Sequence, residues 1–449
     1  MNNTIGSAMN KAIDRRALFA GTGAAGALLL LAGCASSSGP TGGAEAGMKT
    51  KTMRYTFWGS DLVGKNVTKD LTMYHEKNPS VNITGENIPW ANYWTKLDTQ
   101  IAGKSAPDLF QMSNQVVMDY AKRGVLTDYN QYVGHTLNMN GWDESMSQYG
   151  VVDGKRVGIP ISTDGFMVIC NVDMQSKTGV SLPDKGWTWN ELAAAARAAV
   201  KAGASQYGMA DGSYNYPVLE DWMRGLGKSI FDVNGSPAKL GFTKDDFSNY
   251  LSWWDKLRQE GTVVPGGLTT DEIKGFTTSP IVKGAATFDF TTSSELEPFR
   301  SVMKARLQAL PIPEQDGGAK KANFVRPAVF MSGWNGSPVP EETSKVINSW
   351  LNDPDVITTN GFSQGVPPSP TALEVLAKLT PARTDGMRSA TEYLKLIREI
   401  GSPMDYLTPT GGRDVYSLLQ RIAQDVMFGK SSIAKATDDF FSQAAGFLV

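Results

Sequence analysis

Apolar positions along this chain alternate between a period of two and a helical period, which predicts an α/β body. Met53 to Trp58 alternates and is rich in strand-forming residues, so it reads as a first strand. Val63 to Asn78 has helical spacing and is stopped by Pro79. Val81–Thr84 is a second short strand, Tyr93 to Ala102 a helix ended by Gly103, and Pro107–Met112 a third strand followed by a helix up to Gly124. The apolar run Gly165–Cys170 reads as a buried strand. Thr188 with Glu191 three residues later is a capping box, opening a helix through about Lys201. Gly/Ser/Asn-rich breaks around 211–216, 234–238 and 264–269 divide the middle region. From about Thr371 the pattern is almost wholly helical, and no internal repeat is visible.

The first 48 residues belong to none of these elements. Arg15-Arg16 precede an Ala/Gly/Leu-rich stretch that ends in Leu31-Ala32-Gly33-Cys34. A charged head, an apolar segment of about 15 residues and small residues before the break make a bacterial export signal. The paired arginines fit the twin-Arg route, although Asp14 stands before them. The Leu-Ala-Gly-Cys segment resembles a lipobox, in which Cys34 is diacylated and becomes the new N-terminus. The apolar run falls short of the roughly 20 residues a membrane span needs. Residues 35–48 are small and uncharged apart from Glu45, and read as a flexible tether.

Composition narrows the function of the remaining body, whose roughly 400 residues suggest two lobes. A charge of −2 argues against nucleic acid, which needs a basic excess. Of the two cysteines, Cys34 is assigned to lipid, so Cys170 has no partner and is expected to be a structural thiol. His75 and His135 each stand alone, without a second ligand at metal spacing.

Seven segments in order resemble landmarks of the family 1 extracellular solute-binding proteins of ABC importers, the maltose-binding-like group. They are Arg54–Ser60, Trp90–Leu97, Ala106–Gln111 with Tyr120–Leu126, Gly154–Pro160 leading into Asp164–Asn171, Gly186–Leu192, Lys283–Ala286 and Gly365–Pro367. The resemblance spans about residues 53–440. It implies a two-lobed periplasmic-binding fold of type II with the ligand cleft between lobes. Lobe 1 would be 49–163 and 322–365, lobe 2 165–320 and 367–449. It further implies a monomer without cofactor or metal, which closes on a carbohydrate and delivers it to two permease subunits with an ATPase.

Sugars present apolar C–H faces and a rim of hydroxyls, so their sites pair aromatic faces with carboxylates, amides and hydroxyls. In open α/β sheets such groups collect at the carboxyl ends of strands. That rule selects Trp58, Ser60 and Asp61 after the first strand, and Asn114 and Gln115 after the third. It also selects Asp164 at the first crossing, and Asp289 with Thr291 at the end of Ala286–Phe290. Trp334 and Asn335 close the strand returning to lobe 1, and Gln364 stands at the last crossing, where many relatives have Arg or Glu. Tyr216 and Trp222 are candidate stacking platforms, and Arg413 is a candidate cap. Several platforms, with Arg413 the one cation among the candidates, lean toward a neutral oligosaccharide. A secreted glycosidase or lyase is the alternative, since Asp61, Asp164 and Asp289 offer carboxylates for a facing pair.

Overall fold

Strand residues alternate in facing direction, and this period places Met53, Tyr55 and Phe57 together on one buried side of the first strand. The computed structural model describes residues 50–448 apart from 184, 273–274, 319–320 and 380–384. The export signal, Cys34 and the tether lie outside the described residues. In chain order the strands of the two main sheets are β1 (Lys51–Phe57), β2 (Val81–Asn87), β3 (Leu109–Ser113), β4 (Ile159–Asp164) and β5 (Phe166–Asn171). They continue with β6 (Tyr207–Met209), β7 (Ala286–Thr292), β8 (Leu307–Pro311) and β9 (Arg326–Gly333).

One sheet has the order β2-β1-β3-β9-β4 and the other β8-β5-β7-β6. In the first, β2 and β3 run parallel to β1, while β9 lies antiparallel between β3 and β4. Both faces are covered. Leu109 and Met331 pack with Met53 and Tyr55 on one side, while Phe110, Met112 and Phe330 pack on the other. The second sheet behaves alike, and the run 166–170 splits by parity. Phe166, Val168 and Cys170 join one core, and Met167 and Ile169 another. A strand buried on both faces needs apolar residues at every position. Burial alone pushes the Cys170 thiol up to about 12, as suits an inert packed thiol.

The chain passes from β4 to β5 through Gly165 alone, and returns between Pro311 and Arg326. A Cβ on Gly165 would lie 2.3 Å from Ile397 Cδ1 and 3.0 Å from Leu394 Cδ2, so the close helix behind the crossing leaves no room for a side chain unless those two shift. Val366 lies against the first crossing, its carbonyl accepting from Thr163 N at 2.6 Å and Thr163 Oγ1 at 2.8 Å.

The helices follow the pattern in the chain. Asp61–Lys77 carries Val63, Val67, Leu71 and Tyr74 on its buried stripe. At Trp189–Lys201 both bonds of the Thr188–Glu191 capping box are present. The C-terminal region contains Asp385–Ile400, Gly412–Met427 and Ile433–Phe447. One expected break differs: 264–269 opens the helix Gly266–Glu272. Pro265 precedes it, where a fixed φ favours a first turn, and its carbonyl accepts from Leu268 N at 3.0 Å. No described helix is long and apolar enough to cross a membrane.

Candidate functional site

Four strands from the two sheets end around one cavity of about 470 Å³. Trp58 and Ser60 come from the end of β1, Asn114 and Gln115 from that of β3, and Asp164 closes β4. Tyr216, Ser294, Glu295, Arg326, Ser363 and Gln364 complete the wall together with Trp90. Strands expose unpaired backbone and loop side chains at their carboxyl ends, which is why a cleft forms there. Gly59 makes the turn from β1 to the next helix at φ 155°, and a side chain on it would overlap Val63. Trp58 and Ser60 are therefore held on the same rim.

The aromatic wall is wider than expected. Trp58 meets Trp90 at 5.0 Å and 76°, Tyr93 at 4.9 Å and Trp94 at 5.6 Å. Trp90 is 43% exposed, so it presents open ring surface at the rim. The Tyr216 hydroxyl accepts from Gln115 Nε2 at 3.1 Å and from Arg326 Nη1 at 3.3 Å, joining parts of the chain that belong to different sheets. One Tyr216 face is stacked on Tyr416 at 3.9 Å.

Asp164 is buried and well served with donors. Its Oδ1 accepts from Gly165 N at 2.9 Å, Ser293 Oγ at 2.7 Å and Ser294 N at 3.2 Å, and its Oδ2 from Ser294 Oγ at 3.2 Å. It thereby pins the turn after β7 and fixes where Glu295 enters the cavity. Glu295 accepts from Thr291 Oγ1 at 2.5 Å. Surrounding protein and then the nearby Asp164 raise its pKa above the usual carboxylate range. Arg326 stands opposite Asp164 in the β4–β9 register. Burial disfavours its charge, but the Tyr216 hydroxyl, Asp164, Glu220 and Asp221 outweigh that and hold it protonated. Glu220 and Asp221 lie buried below, and burial raises both.

The structure thus gathers seven of the sequence candidates: Trp58, Ser60, Asn114, Gln115, Asp164, Tyr216 and Gln364. The other seven lie elsewhere. Asp61 is exposed in the first turn after the Ser60 cap. Trp222 is 7% exposed and packs on Trp189 and Trp253 at 5.3 and 5.4 Å, as part of an apolar helix face in the core. Asp289 has no exposed surface and accepts from Phe290 N at 2.7 Å inside the second sheet. Thr291 is buried and reaches the cavity through Glu295. Trp334 packs beside the Phe110 cluster, and Asn335 donates to the Gly124 carbonyl. Arg413 is exposed with its guanidinium 5.7 Å over the Trp94 ring, behind the cavity wall.

Sequence reasoning missed Trp90, Glu295 and Arg326. Each left a signal: an aromatic directly after Pro89, an acid just past a strand end, and a charge heading the apolar run Ala328–Met331.

Comparison with known proteins gives the family and the fold. Residues 71–383 match the bacterial extracellular solute-binding proteins. The diacetylchitobiose binding protein DasA of Streptomyces coelicolor is 28% identical over 170 residues, which is 37% of this chain and 39% of that protein. An uncharacterized lipoprotein of Streptomyces antibioticus is 26% identical over 190 residues, 41% of this chain and 39% of that one. The chain spans between 32% and 39% of the length of such curated relatives. Among solved structures, a family 1 extracellular solute-binding protein of Alicyclobacillus acidocaldarius superposes with a TM-score of 0.69 at 25% identity, covering 88% of this chain and 98% of that one. The periplasmic oligogalacturonide binding protein of Yersinia enterocolitica, solved with saturated digalacturonic acid, gives 0.73 at 21% identity over 88% and 98%, which shows a common two-lobed fold.

Proposed function

The chain belongs to the bacterial extracellular solute-binding proteins, and from that premise we propose that it captures a neutral carbohydrate in this cavity for an ABC importer. The supporting observation is the composition of one cleft: aromatic faces at Trp58 and Trp90, with amides, hydroxyls, Arg326 and Glu295 around them. Such a set matches a sugar's apolar faces and its donor–acceptor hydroxyls. Lobe 1 is assigned to 49–163 and 322–365, and lobe 2 to 165–320 and 367–449, with ligand closing one onto the other. Diacylated Cys34 would hold the protein at the outer face of the cell membrane as a monomer, from which it hands cargo to two permease subunits and their ATPase. Binding of this kind needs no chemistry, metal or cofactor.

One observation favours a second reading. Asp164 and a Glu295 of raised pKa line the same cavity, and a glycosidase uses such a carboxylate pair. Against it, Asp164 is committed to four protein donors. Thermal unfolding with neutral mono- and oligosaccharides separates the two. A sugar at 100 times its dissociation constant adds about 2.7 kcal/mol to the folded state, a rise of several degrees. Recovery of that sugar intact supports capture; a cleaved sugar supports the glycosidase, and no shift across the panel removes the neutral-sugar reading.

A further inference from the structure

Two guanidinium groups are buried near the cleft, and they are treated differently. Arg224 is 1% exposed and fully engaged, with Nε on Ala322 O at 2.9 Å, Nη2 on Ser402 Oγ at 2.7 Å and Pro403 O at 3.0 Å, and Nη1 on Asp405. Arg326 is 8% exposed and makes one long bond, to the Tyr216 hydroxyl. Its Nε and Nη2 have no partner among the described residues, although the side chain lines the cavity. Neither nitrogen is among the buried atoms left without a partner, so both face the open space of the cavity, where a ligand can reach them. Glu295 offers the reverse: Thr291 occupies Oε2, and Oε1 has no partner among the described residues.

The cavity therefore holds unused donors and an unused acceptor from different parts of the fold. Its charge balance decides what fits between them. Asp164, Glu220 and Asp221 already act on Arg326 through space, and Asp164 also acts on Glu295. A carboxylate ligand reaching for Arg326 would meet Asp164 and Glu295 as like charges, and such juxtaposition is a strong device against wrong partners. A hydroxyl both accepts from Arg326 and donates to Glu295, and brings no charge.

We propose that Arg326 and Glu295 form the specificity pair of this cleft, which reads adjacent hydroxyls of an uncharged sugar and rejects its uronate counterpart. The inference rests on the carbohydrate reading above and deepens it. Arg326 supplies the affinity, and Glu295 supplies the discrimination.

The test compares maltotriose, cellotriose and diacetylchitobiose with digalacturonate, by calorimetry at pH 7.5. Wild type, Glu295→Gln, Arg326→Gln and Arg326→Lys are measured, with ligand-free melting curves reporting that each is folded. At least one neutral sugar is expected to bind wild type, with digalacturonate weaker by about tenfold or more. Glu295→Gln should narrow that ratio by at least about tenfold, because it removes a like charge while keeping the shape. Arg326→Gln should lose the neutral sugar, and Arg326→Lys, which keeps the charge without the fork, should recover part of it at most. Neutral-sugar binding with a ratio untouched by Glu295→Gln would overturn the specificity pair alone, whereas a wild type that prefers digalacturonate would overturn both the pair and the neutrality of the proposed ligand. Absence of binding by all four sugars to wild type would overturn the carbohydrate reading and this inference with it.

Discussion

Asp70 has no exposed surface, and the Asn360 amide lies beside its carboxylate without completing a well-formed hydrogen bond. Burial pushes its pKa up to about 8; the Asn360 amide and Lys69 offset part of the rise, and Asp353 adds to it. Between pH 4 and 8 the folded protein thus keeps a proton that the unfolded chain has released. Unfolded Asp70 binds fewer protons, so its contribution to stability is greatest below pH 4 and declines as pH rises toward 8, by about 1.4 kcal/mol per unit at most. Asp70→Asn keeps the shape and removes the titration. Urea midpoints should show the variant gaining on wild type between pH 5 and pH 8; an equal difference at both would mean that Asp70 ionises normally. Candidate site residues show the same dependence on surroundings. Trp58 and Gln115 were legible because a strand end follows from local periodicity. Trp222 shares its residue type with Trp58, but its helix face at Leu219 and Met223 takes it into the core. Arg326 left only a charge at the head of an apolar run, because nothing local says that β9 pairs with β4, the pairing that sets it opposite Asp164.

Elements with a complete local signal lie where the chain pattern puts them. The Thr188–Glu191 box caps its helix, and the unbroken apolar run 166–170 is a central strand. Glycines at the crossings carry information of another kind, since their reason lies in distant contacts. Gly165 separates two strands of different sheets and sits against Tyr393, Leu394 and Ile397 of the helix Asp385–Ile400. No local pattern reveals that neighbour, which is remote in sequence. Gly165→Ala forces Ile397 and Leu394 aside in a packed core, an overpacking change of about 1–3 kcal/mol. Denaturant unfolding should show that loss with an unchanged m-value. A variant as stable as wild type would mean that this helix stands further from the crossing.

Capture and release require the whole molecule to have two arrangements, and a ligand shifts them only by what it binds better in one. Besides the Arg326–Tyr216 and Asp164–Ser293 bonds, two further contacts cross between the sheets at the cleft. Gln115 bonds Tyr216, and Arg413 lies over Trp94, which in turn packs on Trp58 and Trp90. Arg413 starts the helix Gly412–Met427, whose Val415, Leu418 and Leu419 belong to the core of the second sheet. Its guanidinium therefore ties that core to the aromatic wall from outside the cavity, and an opened cleft would lose the tie. Arg413→Ala removes an exposed cation–π contact worth about 0.5–1 kcal/mol. If the contact exists only in the closed arrangement, the variant should bind the same sugar about two- to fivefold more weakly, and its ligand-free radius of gyration by X-ray scattering should rise. The sugar-bound radius should match wild type, because bound ligand restores closure. Unchanged affinity with unchanged scattering would show that Arg413 rests on Trp94 in both arrangements and takes no part in closing the cleft.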